Sequence, residues 1–487
     1  MARELAFQTT LEANEAQFKR LVGGQRGAIF RRVPVPDPPG AEILLVFFEI
    51  EMDQARLELV VIRPIIEGEI RPDDLPERLP SSTVKMKSVE HALENMFRGK
   101  VLLFREGTAD VYSIEIAKPP ARSITAPETE AGVSGPRESF TEIHVVNLAM
   151  LRRRYPGPAL RAEEVWIGKE ARLEVGIIYL DGYPTDRVLN EVRKRVTQIR
   201  EDGVQDVTEL TEALADRRVS IFPTVFVTER PDTVAHFIKA GRVAVMLDNS
   251  PRALIVPALF TDFFTSADDF YEWRPFVVFL RLLRFVAFNI AVPLPALYVA
   301  VTTYHLQALP TQLTLSLLAQ REGAPLPPPI EAITMTIIFE ILREAGVRLP
   351  RAIGSTVSIV GGLVIGDAAI RSGLTSPAMV LVVSATAVAT FSLPSTTLAN
   401  AATYYRFFVL ALTSMFGFFG LLLGYLVALA NLSGMTSLGV PYMTPFFPYR
   451  SRHLAAALGT KARPPKHLGA TPQPELIRGA DDFQERS

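Results

Sequence analysis

No cysteine occurs among the 487 residues, which excludes disulfides, thiolate metal sites and cysteine nucleophiles together. Histidine is sparse: the six, at positions 91, 144, 236, 305, 453 and 467, never stand at i, i+4 spacing with a glutamate, so spacing suggests no metal site. The phosphate-cradling G-x-x-x-x-G-K-[ST], a G-x-G-x-x-G after a strand and a G-x-S-x-G nucleophile elbow are all missing. The expectation is therefore no cofactor and no enzyme. A dominant charge sign is lacking as well. Lys and Arg total 51 against 52 Asp and Glu, a net charge of −1, which argues against a nucleic-acid-binding surface. The opening MARELAFQTTLEANEAQFKR has no apolar run of the kind a cleavable secretory signal needs. The N-terminal half is expected to remain in the cytoplasm.

What is present is divided unevenly. From Ala345 to Tyr449 the charged side chains are Arg348, Arg351, Asp367, Arg371 and Arg406, whereas the first 270 residues are charged throughout. The expected fold class is a cytoplasmic α/β N-terminal region of two subdomains followed by an all-α multi-pass membrane domain. In the first subdomain, 1–130, ILLVFFEI (43–50) and LELVVI (57–62) read as strands, followed by a helix over 88–97 and strands from Val101 and Val111. KPPARSITAPETEAGVSGPRE, 118–138, marks the boundary. The second subdomain, 131–274, reads as a helix over 140–154, a strand at 173–180, helices over 185–200 and from Val207 and Thr233, and a hairpin pairing VAVML with ALIV.

The membrane domain is expected over 275–449. Residues 285–304 carry no charge and are long enough for about 30 Å of hydrocarbon, with Pro293 and Pro295 kinking the helix. Further spans are expected at 352–370, 377–398 and 405–430, with a shorter interfacial or re-entrant helix at 330–343 interrupted by Glu331, Glu340 and Arg343. Arg274, Arg281 and Arg284 precede the first span, and a basic tail, 450–487, expected to be disordered, follows the last. By the positive-inside rule both termini are cytoplasmic, and four spans satisfy that parity.

On a helical projection Gly354, Ser358, Gly362 and Gly366 fall on one face, a small-residue ladder for helix packing. Thr356, Val360, Val364, Asp367 and Arg371 fall on the opposite face. An aspartate at membrane depth costs about 2.5–3.5 kcal/mol, so this face is expected to look at protein or water. Three readings stay open: an Asp367–Arg371 pair that anchors the helix end, a pore face repeated around an axis with Asp367 at its mouth, and a substrate path within one chain.

At GPRESFTE (135–142), NLAMLRRRY (147–155), TERPDTVAHFIKAGRVAVMLDNSP, DFFTSADDFY (262–271), LREAGVRLPRAIGSTVSIVGGLVIGDAA and LGVPYMTPFFP the chain resembles the GerA-type spore germination proteins, the A subunits of bacterial germinant receptors. The resemblance, over residues 99 to 449, implies a multi-pass protein of the spore inner membrane that forms a homo-oligomer, a pentamer, conducting monovalent cations when nutrient binds. It further implies a transporter-like B subunit and a lipoprotein C subunit as partners. Two alternatives stand beside the channel: an accessory paralogue of the dipicolinate-release machinery, and a non-conducting scaffold or signal relay. Ser134, Ser139, Thr336 and Asp367 depart from the pattern of that family.

Other motifs carry weaker signals. In TERPD, Glu229 and Arg230 are candidates for subunit contact, as are Glu331 and Glu340, while Asp232 reads as an N-cap for a helix from Thr233. LRRRY reads as a solvated helix end or a membrane-surface or interprotomer patch. Phe263, Phe264, Tyr271 and Trp273 read as an interfacial aromatic belt, and Arg406 as a snorkelling anchor.

Overall fold

The computed structural model describes residues 6–22, 27–37, 40–49, 53–68, 83–116, 130, 132, 134–168, 173–199, 206–217, 220–321, 324–348, 362, 364–447 and 449. They fall into two units. One comprises the residues up to Ala215 with Val225–Pro257, and the other Asp216–Thr224 with the residues from Ala258 onward.

The first unit contains two five-stranded sheets, every pairing antiparallel. The first runs α1 (Leu11–Val22), β1 (Ala28–Val35), β2 (Ala41–Phe48), α2 (Gln54–Leu57) leading through a π-helical turn (Glu58–Ile62) into α3 (Arg63–Ile66), β3 (Val84–Lys85), α4 (Val89–Phe97), β4 (Val101–Arg105) and β5 (Val111–Ile114). Its spatial order is β1-β2-β4-β5-β3. The second runs α5 (His144–Arg154), β6 (Leu160–Ile167), β7 (Leu173–Leu180), α6 (Asp186–Gln198), α7 (Val207–Leu214), β8 (Phe226–Thr228), α8 (Pro231–Lys239), β9 (Val243–Leu247) and β10 (Ala253–Val256). Its order, β6-β7-β9-β10-β8, is the same wiring shifted by five strands. The chain thus builds one topology twice: helix, hairpin, helical segment, lone strand, helix, hairpin.

The unbroken apolar run of β2 follows from burial on both faces. Ile43, Leu45 and Phe47 pack with Val101, Leu103 and Ile114 against Leu57, Val61, Ile62 and Ile65. Leu44, Val46 and Phe48 pack on the other side with Phe104 against Phe18, Val22, Met96 and Phe97. Residues 57–62, expected as a strand, are helical instead. Asp53 caps them, its Oδ1 accepting from Arg56 N at 3.1 Å, and the buried positions 57, 61, 62 and 65 recur at helical spacing.

The expected helix over 140–154 begins only at His144. Before it the chain is extended, with Phe140 N donating to Glu229 O (2.8 Å) and Asn147 Oδ1 accepting from Thr141 N (2.7 Å). LRRRY is solvated only in part: Arg153 is exposed, but Arg152 is buried, its guanidinium 4.2 Å from the centre of the Phe48 ring, and Arg154 pairs with Glu138 at 3.0 Å. The helix expected from Thr233 starts at Pro231, with proline in the first turn where its missing N–H costs nothing.

The second unit is helical: α9 (Arg274–Ala291), α10 (Leu294–Val299) continuing through a π-helical turn (Ala300–Tyr304), α11 (Thr311–Arg321), α12 (Pro328–Arg348), helical residues 364–371, α13 (Pro377–Phe391) and α14 (Thr396–Ser433). The expected kink at Pro293 and Pro295 is present, a bend of 47° between α9 and the segment Leu294–Tyr304. Helix α9 starts well before 285, with proline in its first turn, and Asp269 takes Arg281 and Arg284 midway along it at 2.9 Å each. The helix expected over 330–343 is longer, Pro328–Arg348. The apolar stretch 377–398 breaks after Phe391, where Pro394 stops one helix and Ser395 caps the next. The Phe263 and Phe264 of the expected belt are buried in the core, while Tyr271 and Trp273 are exposed.

Helix α14 doubles back on itself. Gly417 takes φ 60°, ψ −136°, a conformation open to glycine. Asn431 Nδ2 then reaches Tyr405 Oη at 2.7 Å, Gly424 lies against Val409 and Gly420 against the backbone of Leu412 and Thr413. Residues 26 apart meet only if the two arms run antiparallel. The arms, about 21 and 16 residues long on either side of Gly417, measure about 31 and 24 Å at 1.5 Å per residue. Tyr304 closes the tip, its hydroxyl donating to the Ser414 carbonyl at 2.6 Å. Among the described residues Thr396–Ser433 is the helical segment long and apolar enough to cross a membrane, and Arg274–Ala291 with Leu294–Tyr304 reaches that length as a bent pair. What was expected as one span, 405–430, is therefore most of a hairpin.

The segment after the hairpin is held at the open end. Asp216 accepts from Thr436 Oγ1 and from the backbone N–H of Leu438 and Gly439 (3.0 and 3.3 Å). Ser437 Oγ donates to Thr224 O (2.7 Å) and accepts from Ala258 N (3.0 Å). Phe222 stacks on Tyr405 with ring centres 4.8 Å apart.

Candidate functional site

The outer faces of the helical unit carry large apolar side chains such as Phe279, Leu381, Val388, Met415 and Phe419. Its charges lie mostly inside. Arg406, expected as a snorkelling anchor, is completely buried. Its guanidinium donates to Ala291 O (2.8 Å), Glu340 Oε1 (2.9 Å) and Thr390 Oγ1 (2.7 Å). One side chain on α14 thereby fastens α9, α12 and α13. Glu340 also pairs with Arg343 at 2.9 Å and accepts from Thr403 Oγ1 at 3.2 Å. Planar, multiply donating arginine suits such a junction.

Glu331 forms a second buried centre. Its Oε1 accepts from Thr375 Oγ1 (2.7 Å), Ser376 N (2.6 Å) and Ser376 Oγ (2.9 Å), so a carboxylate sits at the positive end of α13. Tyr298 Oη lies 3.2 Å from Ser376 Oγ, and Arg321 stands 4.0 Å from the other Glu331 oxygen. Thr336 is buried nearby on α12, donating to Ala332 O at 2.7 Å. Glu331 and Glu340, candidates for subunit contact, are thus engaged inside the chain.

Of the residues placed on a pore face, Thr356 and Val360 lie outside the described residues, as do Gly354 and Ser358 of the ladder. Val364 is exposed. Arg371 Nε meets Asp367 at 2.9 Å, both side chains more than half exposed. A Cβ added at Gly366 would lie 3.5 Å from Val380 Cγ1, whereas around Gly362 the space is open. The glycines that do bring helices together, Gly417, Gly420 and Gly424, were read only as part of an apolar run; their 3- and 4-residue spacing was the available signal.

In the first unit the GPRESFTE and TERPD stretches tie into one knot. Arg230 is buried and forks onto Asp232 at 3.0 and 2.7 Å, also donating to Pro136 O at 3.1 Å. Ser139 Oγ donates to Glu229 O (3.2 Å), and Arg252 meets Glu229 at 3.4 Å. Glu130 joins by accepting from Thr228 Oγ1 at 2.6 Å. Burial pushes its carboxyl from 4.5 up to about 7. The folded chain therefore holds this proton more tightly than the unfolded chain does. The associated stability is complete below pH 4.5 and lost as pH rises through about 7. Comparing melting temperatures at pH 5 and 8, Glu130→Gln is expected to shrink the decline seen in the wild type; an equal decline in both would remove Glu130 as its source.

Two like-wired antiparallel α/β sheets, followed along the chain by apolar helices that bury their few charges against one another, define a class of protein with one charged α/β unit and one apolar helical unit. The chain belongs to the family described as Bacillus/Clostridium GerA spore germination protein, whose model matches residues 16–466. The resemblance read from its motifs is thereby borne out. Spore germination protein KA of Bacillus subtilis (strain 168) is 36% identical over 463 residues, 94% of this chain and 85% of that protein. Spore germination protein A1 of the same organism is 34% identical over 407 residues, 82% and 84% of the two chains. A crystal structure of the N-terminal domain of the A subunit of the Bacillus megaterium spore germinant receptor GerK3 aligns with 53% of this chain and 99% of its own, at 23% identity and a TM-score of 0.40.

Proposed function

We propose that this chain is the A subunit of a germinant receptor. Its helical unit lies in the spore inner membrane, assembles as a ring, and opens to monovalent cations when a transporter-like B subunit, accompanied by a lipoprotein C subunit, captures nutrient. The observation that carries this reading is the family match across residues 16–466. The helical unit supports it, since buried ion pairs behind an apolar exterior suit a protein bathed in lipid. The free energy of opening comes from tighter nutrient binding in the open state.

The helix bearing Val364, Asp367 and Arg371 is the proposed gate, because it leaves these side chains exposed on the single chain where a ring would turn them to a common axis. Val364→Ala is expected to give germination or ion leak without nutrient, and Asp367→Asn to alter cation conductance. The exposed Asp367–Arg371 pair contributes at most about 0.5 kcal/mol, so the second variant reports charge and not folding. Ion flux through liposomes holding the purified chain is the measurement. Normal closure and conduction in both variants would move the gate elsewhere. The pair itself favours a second reading, in which it only anchors the helix end and the subunit relays a signal; no flux from the chain in any state would select that reading.

A further inference from the structure

We propose that His144, Glu164 and Glu174 form a binding site for a first-row divalent metal ion in the second sheet. The register of β6 with β7 sets Glu164 opposite Gly176 and Trp166 opposite Glu174. Glu164 and Glu174 are therefore diagonal neighbours on one face of the hairpin. Between them Gly176 offers no side chain, and the His144 ring occupies the vacant place: a Cβ at Gly176 would come within 2.5 Å of His144 Nε2. The ring is positioned from its own backbone. His144 N donates to Asp248 Oδ1 at 3.0 Å, and Asp248 N donates to Glu174 O at 2.9 Å, linking the start of α5 to the strand that bears Glu174.

One ligand atom from each of the three side chains lies within 4.8 Å of the others. Metal bonds of about 2.0–2.2 Å require this triangle to close by roughly an ångström. His144 and Glu174 are buried and Glu164 half-buried. Even with its imidazole protonated the trio carries net negative charge, whereas a divalent ion with neutral histidine brings it to zero. One imidazole with two carboxylates and no thiolate selects Zn²⁺ or Mn²⁺ over softer ions. The three positions lie on three separate elements, so no local motif announces them.

The test uses the full chain, purified in detergent, stripped with chelator and titrated with ZnCl₂ by calorimetry. One ion per chain is expected, with proton release that grows as pH falls, because the ligating imidazole must be neutral. Glu164→Gln and Gly176→Ala are each expected to weaken binding by about 100-fold or more, since even outer-shell partners contribute about 10–100-fold. The metal-free melting temperature of Glu164→Gln should stay near the wild type, which separates lost binding from lost folding. Wild-type protein that takes up no Zn²⁺, or a Glu164→Gln variant that binds as well as wild type, overturns the site. So does a Glu164→Gln effect confined to a lower His144 titration by NMR, which would make the trio an ion-paired histidine.

Discussion

Replacing Gly420 by alanine is expected to remove the folded helical unit. The added Cβ would press on the Leu412 carbonyl, 2.5 Å from its carbon and 2.9 Å from Thr413 N. Those atoms are backbone of the facing arm and have no rotamer to yield, so the arms must separate. Overpacking in cores costs about 1–3 kcal/mol where side chains give way, and this site lies at or beyond the upper end. The amount of protein that accumulates, and the melting of whatever is purified, measure the loss. Gly362→Ala provides the contrast: with nothing within 4 Å, it should be neutral or stabilise its helix by about 0.5–1 kcal/mol. A Gly420→Ala chain that accumulates and melts like wild type would mean the arms do not touch.

Arg406→Met is expected to cost about 3–5 kcal/mol, because Ala291 O and Thr390 Oγ1 lose their buried donor and Glu340 keeps Arg343 alone as its cation. Arg406→Lys keeps the charge but not the fork that reaches Ala291, Glu340 and Thr390 at once, so it should recover only part of the stability. Thermal unfolding of the purified variants decides. If Arg406→Met alone melts like wild type, the network is not what clamps α9, α12 and α13 to α14.

Much of the sheet region was legible because its signals are local. The run LEVGIIYL sets β7 at Leu173–Leu180, and DNSP between two apolar runs sets the hairpin of β9 and β10. Edge strands β1 and β6 escaped notice because arginines and glutamates fill AIFRRVPV and LRAEEVWI, as a half-exposed strand permits. The repeated wiring was hidden for a related reason: topology is carried by which strands pair, and the two sheets share no run of residues that reveals it. In the helical unit, hydropathy averages along the chain and passes straight through Gly417, where a single φ reverses direction. Burial of Arg406 depends on carbonyls and carboxylates more than sixty positions away, so a lone charge opening an apolar run reads as an anchor. His144, Glu164 and Glu174 meet only through strand register.

A chain that turns around at Gly417 brings Ser433 back to the end of the helical unit from which Thr396 set out. On the proposed reading of the helical unit as membrane-embedded, Thr396–Ser433 adds an even contribution to the count of crossings. On that reading the side reached at Gly434 is set by the helices that come before Ser395, and counting 405–430 as one passage would reverse it.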